Sequence, residues 1–236
     1  MVCASFQPMA KREDWRAKLQ QLAPKAWPAF LAEHSGLPGP RANTELALAF
    51  ADIAETSVVD TLTGSDDEFL AMCAAVAVAA RATEPVAKIT VHALATDSRW
   101  RVREAVAMGL QLLGDVDPDE LERTVLAWAR DPDPLVQRAA AAAICEPRLL
   151  RTPRRAATAV EVCRIATTAL AHRPLGTRKD QSCRTLRQAL GYCWSVAVAA
   201  DPEPGLLVFR SLEDSDPDVA WIIAENLRKK RLARLV

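Results

Sequence analysis

The chain has 236 residues, of which 50% are hydrophobic, 25% charged and 5% aromatic, and 44 are alanine. This balance is typical of a soluble globular domain, so it excludes disordered and collagen-like chains. The length suits one large domain or two small ones. Because alanine is the strongest helix former and β-branched and aromatic residues are few, the composition predicts an all-α protein.

Targeting and membrane signals are not evident in the sequence. The opening MVCASFQPMAKRED has no apolar segment of the secretory type. The longest uncharged apolar run, Phe69–Ala80, has 12 residues, fewer than the roughly 20 needed to span a bilayer. The six cysteines include neither a CxxC pair nor a zinc-like cluster. These features predict a cytoplasmic protein without membrane contact, disulfide framework, cofactor or bound metal.

Residues 1–42 are predicted to form a helical lead-in followed by a loop. One helix is expected from about Met9 to Leu22. The stretch His34–Arg41 holds two Gly and two Pro, which break regular structure and therefore predict a loop. Residues 43–236 are predicted to form a second unit, a helical repeat domain.

From Asn43 onward, apolar residues recur at helical spacing between regular breaks. Ser65–Glu68 offers an N-cap and an acidic first turn for a helix that ends near Ala82. Further helices are predicted over residues 85–95, 102–113, 118–130, 136–145, 205–212 and 219–228.

A corner sequence recurs before three of these helices. Segments 97–102, 131–136 and 214–219 each begin with Asp and end with Val, the first two lie 34 residues apart, and a looser copy begins near Asp180. An Asp at the corner can cap the coming helix, and a Pro in its first turn loses no needed N–H. Small Ala residues let helix pairs approach, and stacking the pairs builds one core. The pattern predicts a right-handed α-solenoid of stacked antiparallel helix pairs.

Two segments carry a resemblance to known families. The segment DSRWRVREA (97–105) resembles a HEAT-type repeat, and the resemblance covers residues 43–236. Within it, about twenty residues from Trp128 to Leu149 resemble the bacterial alkylation-repair DNA glycosylases, with Gln137 departing from the pattern. Those enzymes are HEAT-like solenoids that hold duplex DNA on a concave, basic surface. The resemblance implies such a surface here.

Two Trp–Asp pairs fit the chemistry that this resemblance implies. In that superfamily an acidic residue near a Trp helps to remove a cationic alkylated base. A carboxylate can stabilise the positive charge that develops, and an aromatic ring can make cation–π contacts with the lesion. The candidate catalytic residues are Asp97, near Trp100, and Asp131, near Trp128. Both Asp residues are also explained as helix caps, which is the favoured interpretation.

Trp100 lies at a predicted helix start and is followed by Arg101 and Arg103. An aromatic ring among arginines can stack on a base or sugar while the guanidinium groups hold phosphates. The ring can also fill a gap between adjacent repeats, and this is the favoured interpretation. The other five Trp lie on apolar helical stripes, where packing is expected.

The charge is divided unevenly along the chain. Residues 1–136 hold 13 Lys and Arg against 20 Asp and Glu, a net charge of −7, and residues 137–236 hold 17 against 10, a net charge of +7. Such a block can form a face for nucleic acid or another polyanion. Solvated helix faces whose charges average out in three dimensions are the alternative. The candidate binding residues of the block are Arg138, Arg148, Arg151, Arg154, Arg155, Arg184 and Arg187.

The sequence favours a non-catalytic HEAT-like repeat protein whose concave face binds a macromolecular partner, a protein or a nucleic acid. Walker, Rossmann and GxSxG motifs are missing, which disfavours the corresponding enzyme classes. The alternative is a DNA-binding or DNA-repair protein of the alkylation-repair glycosylase type. The near-neutral total charge favours the first interpretation, because dedicated nucleic-acid domains are often strongly basic.

Overall fold

The computed structural model describes residues 11–236, so Met9 and Ala10 of the first predicted helix lie outside the described residues. Every regular element within that range is a helix, and the all-α prediction is confirmed. The α-helices are α1 (Arg12–Gln20), α2 (Trp27–Glu33), α3 (Thr44–Ile53), α4 (Thr56–Thr63), α5 (Glu68–Ala80), α6 (Pro85–Leu94), α7 (Trp100–Val116), α8 (Pro118–Trp128), α9 (Pro134–Ile144), α10 (Pro153–Ala171), α11 (Gln181–Ala200), α12 (Pro202–Arg210), α13 (Pro217–Leu227) and α14 (Lys230–Ala233).

Helix starts follow the local sequence closely. Carboxylate side chains accept backbone N–H bonds at the starts of four helices, which satisfies donors that have no partner inside the helix. These capping residues are Asp67, Asp117, Asp133 and Asp216. Six helices begin with Pro, whose preset φ suits the first helical position. The helix predicted after Ser65–Glu68 is α5, capped by Asp67.

Asp97 and Asp131 do not cap their helices, so this part of the prediction is wrong. The residues that precede α7 and α9 are Arg99 and Asp133. Asp97 instead accepts the N–H of Arg99 at 2.8 Å, and Asp131 accepts that of Asp133 at the same distance. Each carboxylate closes a turn two residues before the N-cap residue of the helix, where Asp readily bonds the backbone two residues on. Both residues therefore shape the corner rather than the helix end.

The odd-numbered helices pack in sequence, each against the next, from α1 to α13. The even-numbered helices α6 and α8 pack on the odd-numbered helices on both sides, α4 packs on α5, and α12 packs on α11. Helices α8, α10 and α12 also contact one another in turn. A helix therefore meets the helix two elements further along the chain as well as its sequence neighbour.

The core is densest where α5 lies between α3 and α7. Every residue from Ala71 to Ala79 is buried, because five alanines in this stretch let both neighbours approach. On α7, Gly109 lies so close to α5 that a Cβ there would be 2.3 Å from the Val76 carbonyl oxygen. Small side chains thus set the distance between helices.

Candidate partner-binding surface

Asp97 lies in the corner before α7, and its carboxylate is engaged on both oxygens. Arg99 donates from Nε to Oδ1 at 2.9 Å and from Nη2 to Oδ2 at 2.8 Å. The hydrogen bonds from Arg99 hold the pKa of Asp97 below its ordinary value. Arg103 donates to the Asp97 backbone carbonyl and to that of Ser98. Asp97, Arg99 and Arg103 together brace the corner.

Asp131, the second candidate acid, is bonded to a histidine from the preceding helix pair. His92 Nε2 lies 2.7 Å from Asp131 Oδ2. The His92 ring also meets Trp128 edge to face, with ring centroids 5.6 Å apart. The structure thus brings Trp128 and Asp131 together as the sequence predicts, but with His92 between the two side chains.

Gln137, at which the glycosylase resemblance departs, is buried. Its amide donates to the backbone carbonyl of Asp131 at 2.9 Å, and the residue is 1% exposed. The side chain at this position supports the corner before α9 from inside the fold.

Trp100 begins α7, and the residue is 53% exposed. About half of its surface is thus accessible, and the interpretation that it fills a gap between repeats stays a prediction. The guanidinium carbon of Arg101 lies 4.5 Å from the centre of the Trp100 ring. Arg101 also donates to Glu68 Oε2 at 2.9 Å. One face of the ring is thus covered by a cation that α5 holds in place.

A groove opens beside Trp100 with a volume of about 310 Å³. Its lining comes from the loop before α3, from the first residue of α3, and from side chains of α5 and α7. The residues that shape it are Pro40, Arg41, Met72, Trp100, Glu104 and Met108. Sequence reasoning missed all of these except Trp100, because the groove forms only where three non-consecutive helices meet.

Most of the predicted basic residues pair with carboxylates about one repeat away. Arg138 donates to Glu104, 34 residues earlier, and its side chain is 10% exposed. Arg148 bonds Asp115 at 3.1 Å, and Arg154 lies 2.9 Å from both Asp119 and Glu122. Further along, Arg187 lies 2.7 Å from Asp218. Four of the seven candidate arginines in the basic block are therefore paired with carboxylates.

Three of the seven candidate arginines in the basic block, Arg151, Arg155 and Arg184, have no carboxylate within ion-pair distance among residues 11–236. Arg151 and Arg155 lie at the start of α10, and Arg184 lies in the first turn of α11. α11 follows α10 through a short connection and packs on it, with Trp194 Nε1 donating to Thr167 Oγ1. The length of α10 therefore separates Arg155 from Arg184, roughly 25 Å at 1.5 Å per residue. The three cations do not form one patch.

A signal for these ion pairs is present in the sequence. Carboxylates and arginines recur 33 to 35 residues apart, close to the 34-residue spacing of the corners, as in Glu68 with Arg101 and Asp115 with Arg148. A search for opposite charges at the repeat period would have predicted that these ion pairs join corresponding parts of successive repeats.

The described cysteines are buried thiols. Burial raises the pKa of the Cys73 thiol, and a hydrogen bond with Cys145 together with burial raises the pKa of Cys193. Such thiols stay protonated at neutral pH and are poor nucleophiles. Cys3 lies outside the described residues.

Two further observations concern residues 11–236. No cluster of three or more His, Cys, Asp or Glu side chains in this range is arranged to hold a metal ion. None of the helices there combines the length and the apolar character needed to cross a membrane.

Comparisons of the chain with protein-family models, curated proteins and solved structures find no match.

Proposed function

We propose that this chain is a non-catalytic HEAT-like repeat protein of the cytoplasm, a right-handed α-solenoid that binds a protein partner. The sequential packing of odd-numbered helices supports the repeat architecture, because each helix contacts its counterpart in the next pair. Ion pairs and hydrogen bonds at 33 to 35 residues, such as Arg138 with Glu104, link successive pairs.

The observation that carries the choice of a protein partner is the pairing of five candidate arginines with carboxylates. A protein binds duplex DNA by placing several Lys or Arg side chains on phosphates, which releases the counterions that were condensed there. Here Arg101, Arg138, Arg148, Arg154 and Arg187 each face a carboxylate. The exposed apolar ring of Trp100 beside a groove is instead typical of a protein-binding site.

The alternative is a DNA-binding or DNA-repair protein of the alkylation-repair glycosylase type. Three candidate arginines of the basic block, Arg151, Arg155 and Arg184, have no carboxylate partner among the described residues, and they favour it. Asp97 and Asp131 would be its acids.

Both functions are tested with the full chain. We expect the immobilised protein to retain a protein partner from a lysate of the source cells. This partner should still be retained after the lysate is treated with nuclease. We expect labelled duplex DNA, with or without an alkylated base, to bind no more tightly than the roughly 1 µM of non-specific association. Tighter binding that weakens steeply with salt, and that is lost when Arg151, Arg155 and Arg184 are replaced by Ala, would overturn the proposal. Release of the alkylated base would do so directly.

A further inference from the structure

The groove beside Trp100 has a wall that is fixed by its own hydrogen bonds. In the loop before α3, Asn43 donates from its backbone to Ser35 O at 2.8 Å and from its side chain to His34 O at 3.0 Å. Gly36 has φ of 75°, and a Cβ there would be 2.7 Å from the Arg41 carbonyl oxygen. The loop therefore holds Arg41 at the groove edge without help from a ligand.

The interior of the groove is apolar and adaptable. Met72 of α5 is buried at its base and Met108 of α7 is half-buried, and the exposed part of the Trp100 ring forms a side. Thioether side chains are flexible and polarizable, so they accommodate apolar groups of different shapes. The volume of about 310 Å³ suits one or two apolar side chains.

The charges around the groove are unequal once internal pairs are counted. Glu104 is paired with Arg138, and Arg101 with Glu68. Arg41 is exposed and has no carboxylate or hydrogen-bond partner for its guanidinium among residues 11–236. A positive charge thus remains at the rim beside an apolar interior.

We propose that this groove binds a peptide segment of the partner that presents an aromatic or long aliphatic side chain next to a carboxylate. The apolar side chain would lie between the two methionines and Trp100, and the carboxylate would accept hydrogen bonds from Arg41, as guanidinium groups favour. A nucleic acid fits less well, because a single unpaired cation offers few phosphate contacts. The proposal rests on the protein-binding function above.

The test uses a displayed library of random peptides panned on the full chain, followed by titration of the enriched peptides. We expect enriched sequences to hold an aromatic or Leu-like residue beside Asp or Glu. Trp100→Ala is expected to weaken Kd by about tenfold or more, as for central interface aromatics, and Arg41→Glu by several-fold. Melting temperatures check that the variants fold, which the exposure of both side chains favours.

Matched controls come from the other end of the chain. Tyr192 is 46% exposed with Arg231 stacked 4.9 Å from its ring centre, so Tyr192→Ala removes a similar exposed aromatic. Arg210→Glu reverses another exposed cation without an ion-pair partner in the described range. Both controls should leave Kd unchanged within about twofold.

Three results would overturn the inference: no enrichment, enrichment of basic peptides, or enriched peptides whose Kd is unchanged in Trp100→Ala. The proposed function is judged separately. If Trp100→Ala still retains the nuclease-resistant partner from lysate, the protein-binding function stands and the groove is not its site. Tight, salt-sensitive duplex binding would instead remove the function itself.

Discussion

The contact between α5 and α7 and the contact between α11 and α13 carry the same kind of surface cluster. In each cluster, an Arg stacks on a Trp and pairs with a carboxylate of the neighbouring helix. In the first cluster, Arg101 stacks on Trp100 and pairs with Glu68. In the second, Arg187 lies 4.7 Å from the Trp221 ring centre and 2.7 Å from an Asp218 oxygen. The two clusters differ in what lies beneath the ring.

Trp221 covers the backbone of α11 at Gly191, where an added Cβ would be 2.9 Å from the ring. Trp100 is the first residue of α7 and remains 53% exposed beside the groove. The glycine lets the Trp221 ring contribute to packing, whereas the Trp100 ring stays available to a partner. An Arg–Trp–carboxylate cluster thus leaves its ring accessible where no neighbouring backbone closes it.

The largest effect is expected from crowding the α5–α7 contact that supports the first cluster. In Gly109→Ala the new Cβ would lie 2.3 Å from the Val76 carbonyl oxygen and 2.5 Å from Ala79 Cβ. Because both are held inside a packed core, we expect a loss of about 3 kcal/mol in the free energy of unfolding. Urea denaturation measures this loss of stability.

Gly64→Ala is the control, since nothing lies within 4 Å of its added Cβ. A stable Gly109→Ala protein would show that the two helices can separate.

A smaller effect distinguishes the two rings directly. Trp221→Ala should cost about 2 kcal/mol, because it empties the space over Gly191 and loses part of a large buried area. Trp100→Ala should cost less than about 1 kcal/mol, because half of the ring is already in solvent. Denaturation midpoints of the two variants, compared with wild type, measure the difference. Equal losses would contradict the distinction between a packing ring and an available ring.

The smallest effect concerns acid stability at the corner before Trp100. Hydrogen bonds from Arg99 lower the pKa of Asp97, so the folded state binds a proton there less readily than the unfolded state. The stability from this carboxylate is present above its ordinary pKa of about 3.9 and is lost as pH falls through the lowered value. Asp97→Asn should therefore destabilise by less than about 1 kcal/mol at neutral pH, and its difference from wild type should shrink below about pH 4. Denaturation at several pH values measures this.

Near the second cluster, Asp216 caps α13 and pairs with Arg178. Burial by itself would raise the pKa of Asp216, but hydrogen bonds from Arg178 and from the backbone lower it. Asp216→Asn should thus show the same shrinking difference on the acid side. Parallel pH curves for wild type and either variant would contradict the ion pairs.

Sequence reasoning located the corners better than the roles of their residues. The spacing of segments 97–102 and 131–136 correctly marks the starts of α7 and α9 to within a few residues. The same spacing predicted that Asp97 and Asp131 cap these helices. A carboxylate at the N-cap and a carboxylate two residues before the N-cap have the same signature in the sequence. Only the hydrogen bonds to Arg99 and Asp133 separate the two roles.

The candidate site illustrates the same division. The sequence singled out Trp100 because an aromatic residue among arginines is unusual. The structure places Trp100 in the lining of the groove. The groove itself needed Arg41 and Met72, which lie 59 and 28 residues earlier in the chain and carry no local signal. Their proximity arises from packing of α3, α5 and α7 in sequence.

The sequence by itself determined the all-α class and most of the helix starts, because alanine content, proline at first turns and capping carboxylates act over a few residues. Only the tertiary structure decided which charges remain unpaired and which aromatic ring remains open. Within the basic block of residues 137–236, several arginines pair with carboxylates on neighbouring helices, such as Arg148 with Asp115, while others, such as Arg155, have no such partner among residues 11–236. Charge is counted along a chain, whereas the field that a partner meets depends on side chains brought together by folding.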